Sequence, residues 1–330
     1  MTAAIRIYRS LADVPEDFGP SALTIGNFDG VHAGHRRILR RVREVAEEHG
    51  WRASVLTFDP HPTKVVAPER APRLMTTFAR RCGLMREEGM EQALILPFTA
   101  EVAQLSPEGF VSEILAAKLR VRAVVVGDNF RFGYRQAGNT QSLAELGGRY
   151  GFTTEVVPAV VVRGCLVSSS AIRRIVEAGR VAAAARLLER AYDLEGPVVP
   201  GHGVGSKRTV PTLNLAPESE VKPATGVYVT RTHDLENGRS WPSVTNVGRR
   251  PTFGAGQSVS VETFLLEPLE GATPGRIRVE FLWRLREERR FETAEALKSQ
   301  ILRDAARAQA YFRRLENWTC RSDFPVDSMA

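Results

Sequence analysis

The stretch that most restricts this chain is Gly26-Asn27-Phe28-Asp29-Gly30-Val31-His32-Ala33-Gly34-His35. A short apolar run, Ala22-Leu23-Thr24-Ile25, precedes it. After it, from His35 to Glu48, Ile38, Leu39, Val42, Val45 and Ala46 fall on one face at helical spacing. A second apolar run, Ser54-Val55-Leu56-Thr57-Phe58, completes a βαβ unit. A glycine-rich turn between strand and helix lets backbone approach a phosphate chain, and the unpaired N–H groups and dipole of the helix start favour an anion there. His32 and His35, three residues apart, add donors for charge that develops on a phosphate under attack.

The pattern continues with strand candidates Leu94-Ile95-Leu96 and Val124-Val125-Val126 and a helix expected over Pro107 to Lys118 between them. That alternation predicts a doubly wound parallel sheet, whose ligands sit at the carboxyl ends of its strands. After an Ala- and Leu-rich helical stretch ending near Arg190, short β-like runs broken by Gly and Pro occupy Gly196 to Glu280, among them Gly226-Val227-Tyr228-Val229-Thr230 and Val259 to Leu266. These predict a small antiparallel barrel. The tail, Thr293 to Phe312, predicts a closing helix with Ala296, Leu297, Ile301 and Ala305 on one side. The expected division is into residues 1–186 and 187–330, which suits a chain of 330 residues.

With 43% hydrophobic and 25% charged residues the chain reads as an ordinary globular protein. The opening residues are never apolar for long enough to form a signal peptide, and no stretch approaches the roughly 20 apolar residues of a membrane span, so a cytoplasmic location and no membrane partner are expected. Cys82, Cys165 and Cys320 are odd in number and far apart, which suggests buried small hydrophobes rather than disulfides or a zinc site. A net charge of +7 suits an anionic ligand, but pairs such as Arg36-Arg37 and Arg40-Arg41 read as solvated helix faces, so no nucleic-acid partner is expected. The expected state is a monomer or weak homo-oligomer.

Three further blocks follow in the first half: Thr57-Phe58-Asp59-Pro60-His61-Pro62, Val126-Gly127-Asp128-Asn129-Phe130-Arg131-Phe132-Gly133, and Ser168-Ser169-Ser170-Ala171-Ile172-Arg173. The last presents hydroxyls and backbone donors at a helix start, with Arg173 one turn in, a set suited to a triphosphate, although a plain Ser N-cap would look the same. Together with the glycine-rich turn, these blocks resemble, in order, the nucleotidyltransferase half of bacterial bifunctional riboflavin kinase/FMN adenylyltransferases. The resemblance implies an ATP site from Gly26, Phe28, Asp29, Gly30, His32, Gly34, His35, Ser168, Ser169, Ser170 and Arg173, and a flavin side from His61, Asn129 and Phe130. Asn129 stands where many relatives carry Asp, and Ser170 where Thr is usual; both keep hydrogen-bonding capacity.

In the second half, Gly201, Gly203 and Gly205 lead into Ser206-Lys207-Arg208 and then Val210-Pro211-Thr212-Leu213-Asn214-Leu215. Thr212 and Asn214, two apart on a strand, share a face and can both reach one Mg²⁺. The arrangement resembles the riboflavin kinase domain of the same family, supported by Gly226-Val227-Tyr228, Asn246 to Phe253, Val261-Glu262 and Leu285 to Phe291. It implies that Gly201, Gly203, Gly205, Lys207, Pro211, Thr212 and Asn214 bind ATP, that Thr212 and Asn214 hold Mg²⁺, that Asn246 and Arg286 bind flavin, and that Glu262 is the general base. Val204 replaces an expected Arg, and Thr209-Val210 the usual Gly-Phe.

The implied activity is phosphorylation of riboflavin to FMN, then adenylylation of FMN to FAD with release of pyrophosphate, with His32, His35, Arg173 and Glu262 as the catalytic set. Two alternatives stay open: an FMN adenylyltransferase whose barrel only binds flavin, and a flavin- or RNA-binding regulator without turnover.

Overall fold

The computed structural model describes residues 4–200, 212–251 and 257–322. Contacts divide the chain into two compact units, Met1–Ala171 and Ile172–Ala330. The glycine-rich loop of the second half, with Gly201, Gly203, Val204, Gly205, Lys207, Thr209 and Pro211, lies outside the described residues.

The first unit opens with β1 (Arg6–Tyr8), β2 (Ser21–Ile25), α1 (Ala33–His49), β3 (Arg52–Asp59), α2 (Pro62–Val66), α3 (Phe78–Glu87), β4 (Gln92–Pro97) and α4 (Ala100–Gln104). It continues with α5 (Pro107–Gly109), which runs on as a π-type turn over Phe110–Lys118, then β5 (Val121–Gly127), α6 (Thr140–Tyr150), β6 (Thr153–Val157) and the hairpin β7 (Val161–Val162) and β8 (Cys165–Leu166). The six strands β1-β4-β3-β2-β5-β6 form one parallel sheet. Alternate residues of each strand serve opposite layers. Leu23, Leu56, Leu94 and Val124 pack with Phe110, Ile114 and Leu143, whereas Ala22, Val55, Ala93 and Val125 pack with Leu39, Val42, Leu84 and Met85.

The order of strands places a switch point at β2, with β3 on one side and β5 on the other. The Gly26 turn, the Asp59-Pro60-His61 block and the Gly127-to-Phe130 block therefore leave the same edge of the sheet, from β2, β3 and β5. Of the α1 arginines, Arg37 and Arg40 are exposed, as expected, whereas Arg36 and Arg41 are half-buried; Arg36 and Arg40 both bind the buried carboxylate of Glu88, just beyond α3. Cys82 is buried as expected. Cys165 is not, because its hairpin of two two-residue strands has no core to enter. The side chain of Cys320 lies outside the described residues.

The division of the chain falls inside α7 (Ser169–Glu177). The second unit continues with α8 (Val181–Leu188), β9 (Tyr192–Val199), β10 (Thr212–Leu215), β11 (Gly226–Asp234), β12 (Ser240–Pro251), β13 (Gln257–Leu265), β14 (Arg276–Arg286) and α9 (Ala294–Ser322). The strands close into an antiparallel barrel in the order β10-β13-β12-β11-β14-β9. Its interior mixes apolar residues such as Tyr228, Val261 and Phe281 with five fully buried hydroxyl residues, Thr230, Thr232, Ser243, Thr245 and Thr263. Those hydroxyls satisfy one another in a chain of bonds from 2.6 to 2.9 Å, which removes the penalty of burying them singly.

The closing helix packs against the outer wall of the barrel, where Ala308 and Phe312 meet Val227, Val229 and Val244. Its buried stripe is Gln300, Asp304, Ala308 and Phe312. The face expected from periodicity is corrected: Ala296, Leu297 and Ile301 are exposed and Ala305 is half-buried. The reason is a polar latch. The Asp304 carboxylate accepts from Arg286 Nε and Nη2 at 2.9 and 2.8 Å and from Gln300 Nε2 at 2.8 Å, and Gln300 accepts from Arg289. A buried carboxylate needs such partners, and they turn its side of the helix inward.

Candidate active sites

In the first unit the glycine-rich turn is wound tightly. Phe28, Gly30 and Val31 take positive φ values of 50°, 83° and 37°, an unfavourable state for a β-branched valine. The surroundings hold it there. Phe28 and Val31 are buried, Gly30 N–H donates to Thr76 Oγ1, and the Asp29 carboxylate accepts from the N–H groups of Met75 and Thr76 and from the Thr76 hydroxyl at 3.0–3.2 Å. Asp29 is thus turned inward and anchors the turn to the segment that leads into α3. Ser169, at the start of α7, donates its hydroxyl to the Asp29 carbonyl at 2.9 Å, which ties the serine block to the same turn.

His32 is the N-cap of α1, its Nδ1 accepting the backbone N–H of His35 at 3.3 Å. An accepting Nδ1 leaves the proton on Nε2, so the neutral ring retains a donor. Burial above all, and then the neighbouring His32 and Arg81, which disfavour a second positive charge beside them, hold the His35 imidazole well below its usual value, so it is neutral at pH 7. Gly34 leaves room for the His32 ring: a Cβ there would lie 3.2 Å from it, a tight contact that would press on the capping imidazole.

Among the described residues, the polar atoms sealed from solvent without a hydrogen-bond partner include Asn27 Oδ1 in the turn, His35 Nδ1 at the start of α1 and Arg81 Nε in α3. Buried polar groups are normally satisfied, and a polar ligand entering at the turn would supply partners to Asn27 and His35. The expected residues divide by surroundings. Ser168 caps α7 by accepting from Ala171 N–H, and Ser170 is exposed. Arg173 is half-buried one turn further on. His61 caps α2 by accepting from Thr63 N–H. Asn129 is exposed just beyond β5, while Phe130 is half-buried and stacks on Phe132 with centroids 5.5 Å apart. Sequence reasoning passed over Arg81. Its signal was an arginine on the apolar face of a helix, three and four residues before the buried Leu84 and Met85.

In the second unit the expected residues fall on one line. Asn214 of β10 lies opposite Glu262 of β13, Glu262 opposite Asn246 of β12, Asn246 opposite Val227 of β11, and Val227 opposite Arg286 of β14. Leu213, Leu215, Val261, Thr263, Thr245 and Val247 fill the interior, so the row stands on the outer wall, the wall that α9 covers at Val227. Asn214, Glu262 and Asn246 are half-buried and Thr212 is exposed. Arg286, expected to bind flavin, bonds within the chain through Nε and Nη2 to Asp304 and through Nη1 to the Glu287 carbonyl. Among the described residues no cluster of three or more His, Cys, Asp or Glu could hold a metal by itself. Thr212 and Asn214 are hard oxygen donors, which fit Mg²⁺ when substrate phosphates and water complete its shell.

Comparison with known proteins covers both halves. The FAD synthetase family matches residues 14–171 and the riboflavin kinase family residues 188–312. The bifunctional riboflavin kinase/FMN adenylyltransferase of Pseudomonas fluorescens is 37% identical over 306 residues, 93% of this chain and 97% of that protein. The protein of the same name from Escherichia coli strain K12 is 33% identical over 308 residues, again 93% and 97%. A crystal structure from Streptococcus pneumoniae, described as a macrolide-efflux protein, has a TM-score of 0.82 at 23% identity over 93% of this chain and 99% of that one, a likeness of fold. The chain belongs to the family of bifunctional riboflavin kinase/FMN adenylyltransferases.

Proposed function

We propose that the chain performs both reactions of its family at the two places described, phosphorylating riboflavin to FMN and joining FMN to AMP to make FAD. The observation that carries the reading is the Asn214–Glu262–Asn246 row on the barrel together with the unpaired polar atoms at the Gly26 turn. The substrates are riboflavin, FMN and ATP.

At the barrel, Glu262 takes the proton of the riboflavin 5′-hydroxyl as that oxygen attacks the γ-phosphorus of ATP; the new O–P bond forms as the bond to ADP breaks. Asn214 and Asn246, on either side, hold phosphate and flavin so that attack is in line. Thr212 and Asn214 would hold Mg²⁺, which neutralises phosphate charge. Arg286 binds flavin by resemblance, and its bonds to Asp304 also hold α9 beside the row. Gly201, Gly203, Gly205, Lys207 and Pro211 belong to the same ATP site by resemblance. Lys207 and Arg208 supply the charge missing at Val204.

At the sheet, a phosphate oxygen of FMN attacks the α-phosphorus of a second ATP and pyrophosphate leaves. The turn from Gly26 to Gly34 and the start of α1 receive the phosphates, while Nε2–H of His32, together with His35 and Arg173, meets the charge that moves onto pyrophosphate. Ser168, Ser169 and Ser170 bound the nucleotide, and His61, Asn129 and Phe130 the flavin. The activities are assigned to residues 1–186 and 187–330, in a cytoplasmic monomer or weak homo-oligomer without a nucleic-acid partner. No helix among the described residues is long and apolar enough to cross a membrane.

The test is chromatography of flavins after incubation with riboflavin, ATP and Mg²⁺, repeated from FMN. FMN followed by FAD is the expected outcome. FAD only from supplied FMN would mean that the altered loop has cost the kinase, and no conversion in either tube would favour a binding protein.

A further inference from the structure

Arg81 stands in the first turns of α3, its N–H bonded to the carbonyl of the Thr77 N-cap, and only 4% of it is exposed. Among the described residues its guanidinium makes no hydrogen bond and no salt bridge, and Nε is sealed without an acceptor. A buried guanidinium is ordinarily met by carboxylates, as Arg36 is by Glu88 and Arg286 by Asp304. Arg81 has the charges of Asp29 and Asp59 near it, but Asp29 is already engaged by Met75 and Thr76. Its other close neighbour is the ring of Phe78, 6.0 Å from the guanidinium carbon to the centroid.

The position is set by the elements around it. Asp29 follows β2, Asp59 ends β3, and His35, whose ring feels the Arg81 charge, lies in the first turn of α1. Asn27 Oδ1, in the turn after β2, and His35 Nδ1, in the first turn of α1, are likewise sealed without a hydrogen-bond partner among the described residues. An arginine with unfilled donors beside a helix start is matched chemically by a phosphate oxygen, which its planar fork can bind at two points.

We propose that Arg81 is a further catalytic residue of adenylyl transfer, its guanidinium donating to a phosphate oxygen of ATP and stabilising the charge carried away by pyrophosphate. This rests on the adenylyl-transfer reading of the sheet site. The burial of the cation, offset only in part by the charges of Asp29 and Asp59, is then a local cost that the triphosphate relieves.

The test uses the full chain with Arg81→Met and Arg81→Lys, following FAD formation from FMN against ATP concentration, FMN formation from riboflavin, and thermal melting. Removing one donor to a developing oxyanion lowers turnover by about 10²–10³-fold. Arg81→Met is expected to lose FAD formation on that scale, with unchanged FMN formation and a melting temperature equal to or above that of the parent, because a buried unpaired charge has been removed. Arg81→Lys is expected to recover part of the loss, chiefly in kcat. A parent-like kcat/KM for ATP in Arg81→Met would overturn the assignment. So would a drop in melting temperature in step with activity in both variants, which is the signature of a structural arginine. If the parent chain itself forms no FAD from FMN, the adenylyl-transfer reading fails first and this assignment with it.

Discussion

The rings of His32 and His35 are stacked, with centroids 3.6 Å apart and planes 14° from parallel. Two imidazoles this close cannot both be charged at low cost, and protonating His32 at Nδ1 would also remove the acceptor that caps α1. In the unfolded chain His35 takes a proton near its ordinary value of about 6.5, whereas in the fold it resists until well below that. The unfolded state therefore binds more protons in this window. Stability should fall as pH drops from about 7 through the region below 6.5, by at most about 1.4 kcal/mol per pH unit for this group. Urea unfolding at pH 7.5 and 5.5 checks it: His35→Asn should lose less stability on acidification than the parent, and equal losses would count against the linkage.

Asp29 binds the turn to the start of α3 through three donors of Met75 and Thr76. Asp29→Ala leaves those donors buried and unmet, and a loss of about 2–4 kcal/mol is expected for the sheet unit, with Asp29→Asn losing less. FAD formation should fall with it, since Phe28 and Val31 hold positive φ only while the surroundings compel them to. Denaturant melts that match the parent would refute this.

Glu262→Gln keeps the shape of the side chain and removes its basicity. FMN formation should drop by about 10²–10⁴-fold, the usual contribution of a general base, while FAD formation from supplied FMN stays at the parent rate. Because the two reactions are read in one preparation, the second controls for loss of protein. Retention of kinase turnover would show that Glu262 is not the base.

Asp304→Ala strands the Arg286 charge under α9. A loss of about 3 kcal/mol or more is expected for the barrel unit, with Asp304→Leu less harmful only if Arg286 is replaced as well. A double-mutant cycle with Arg286→Met measures the coupling. Additive effects would mean that the pair does not hold the helix.

Much of the fold was legible because it is local. The helix expected from His35 to Glu48 is α1, Ala33–His49, and the runs at 22–25, 54–58, 94–96 and 124–126 all lie within sheet strands. Periodicity works for these elements because both faces of the sheet need the same apolar residues over and over. It failed for α9, where Leu297 and Ile301 had the right spacing but Asp304 and Gln300 had the partners. It also gave no hint that Thr230, Ser243, Thr245 and Thr263 would be interior, since a hydroxyl reads as outward until its cross-strand neighbour is known.

What the amino-acid order determined alone was the set of chemical groups and their local geometry: the glycines and histidines of a strand-turn-helix, and the Thr212 and Asn214 pair on one strand face. Only the tertiary structure decided which groups meet. The order of strands brought the ends of β2, β3 and β5 to one edge, and barrel closure set Asn214, Glu262, Asn246 and Arg286 in one row although they are far apart in the chain. It likewise turned Asp29 inward and, among the described residues, left the Nε of buried Arg81 without an acceptor. Both outcomes depend on long-range packing, in which a side chain's role follows from the neighbours it is given rather than from the residues beside it in the chain.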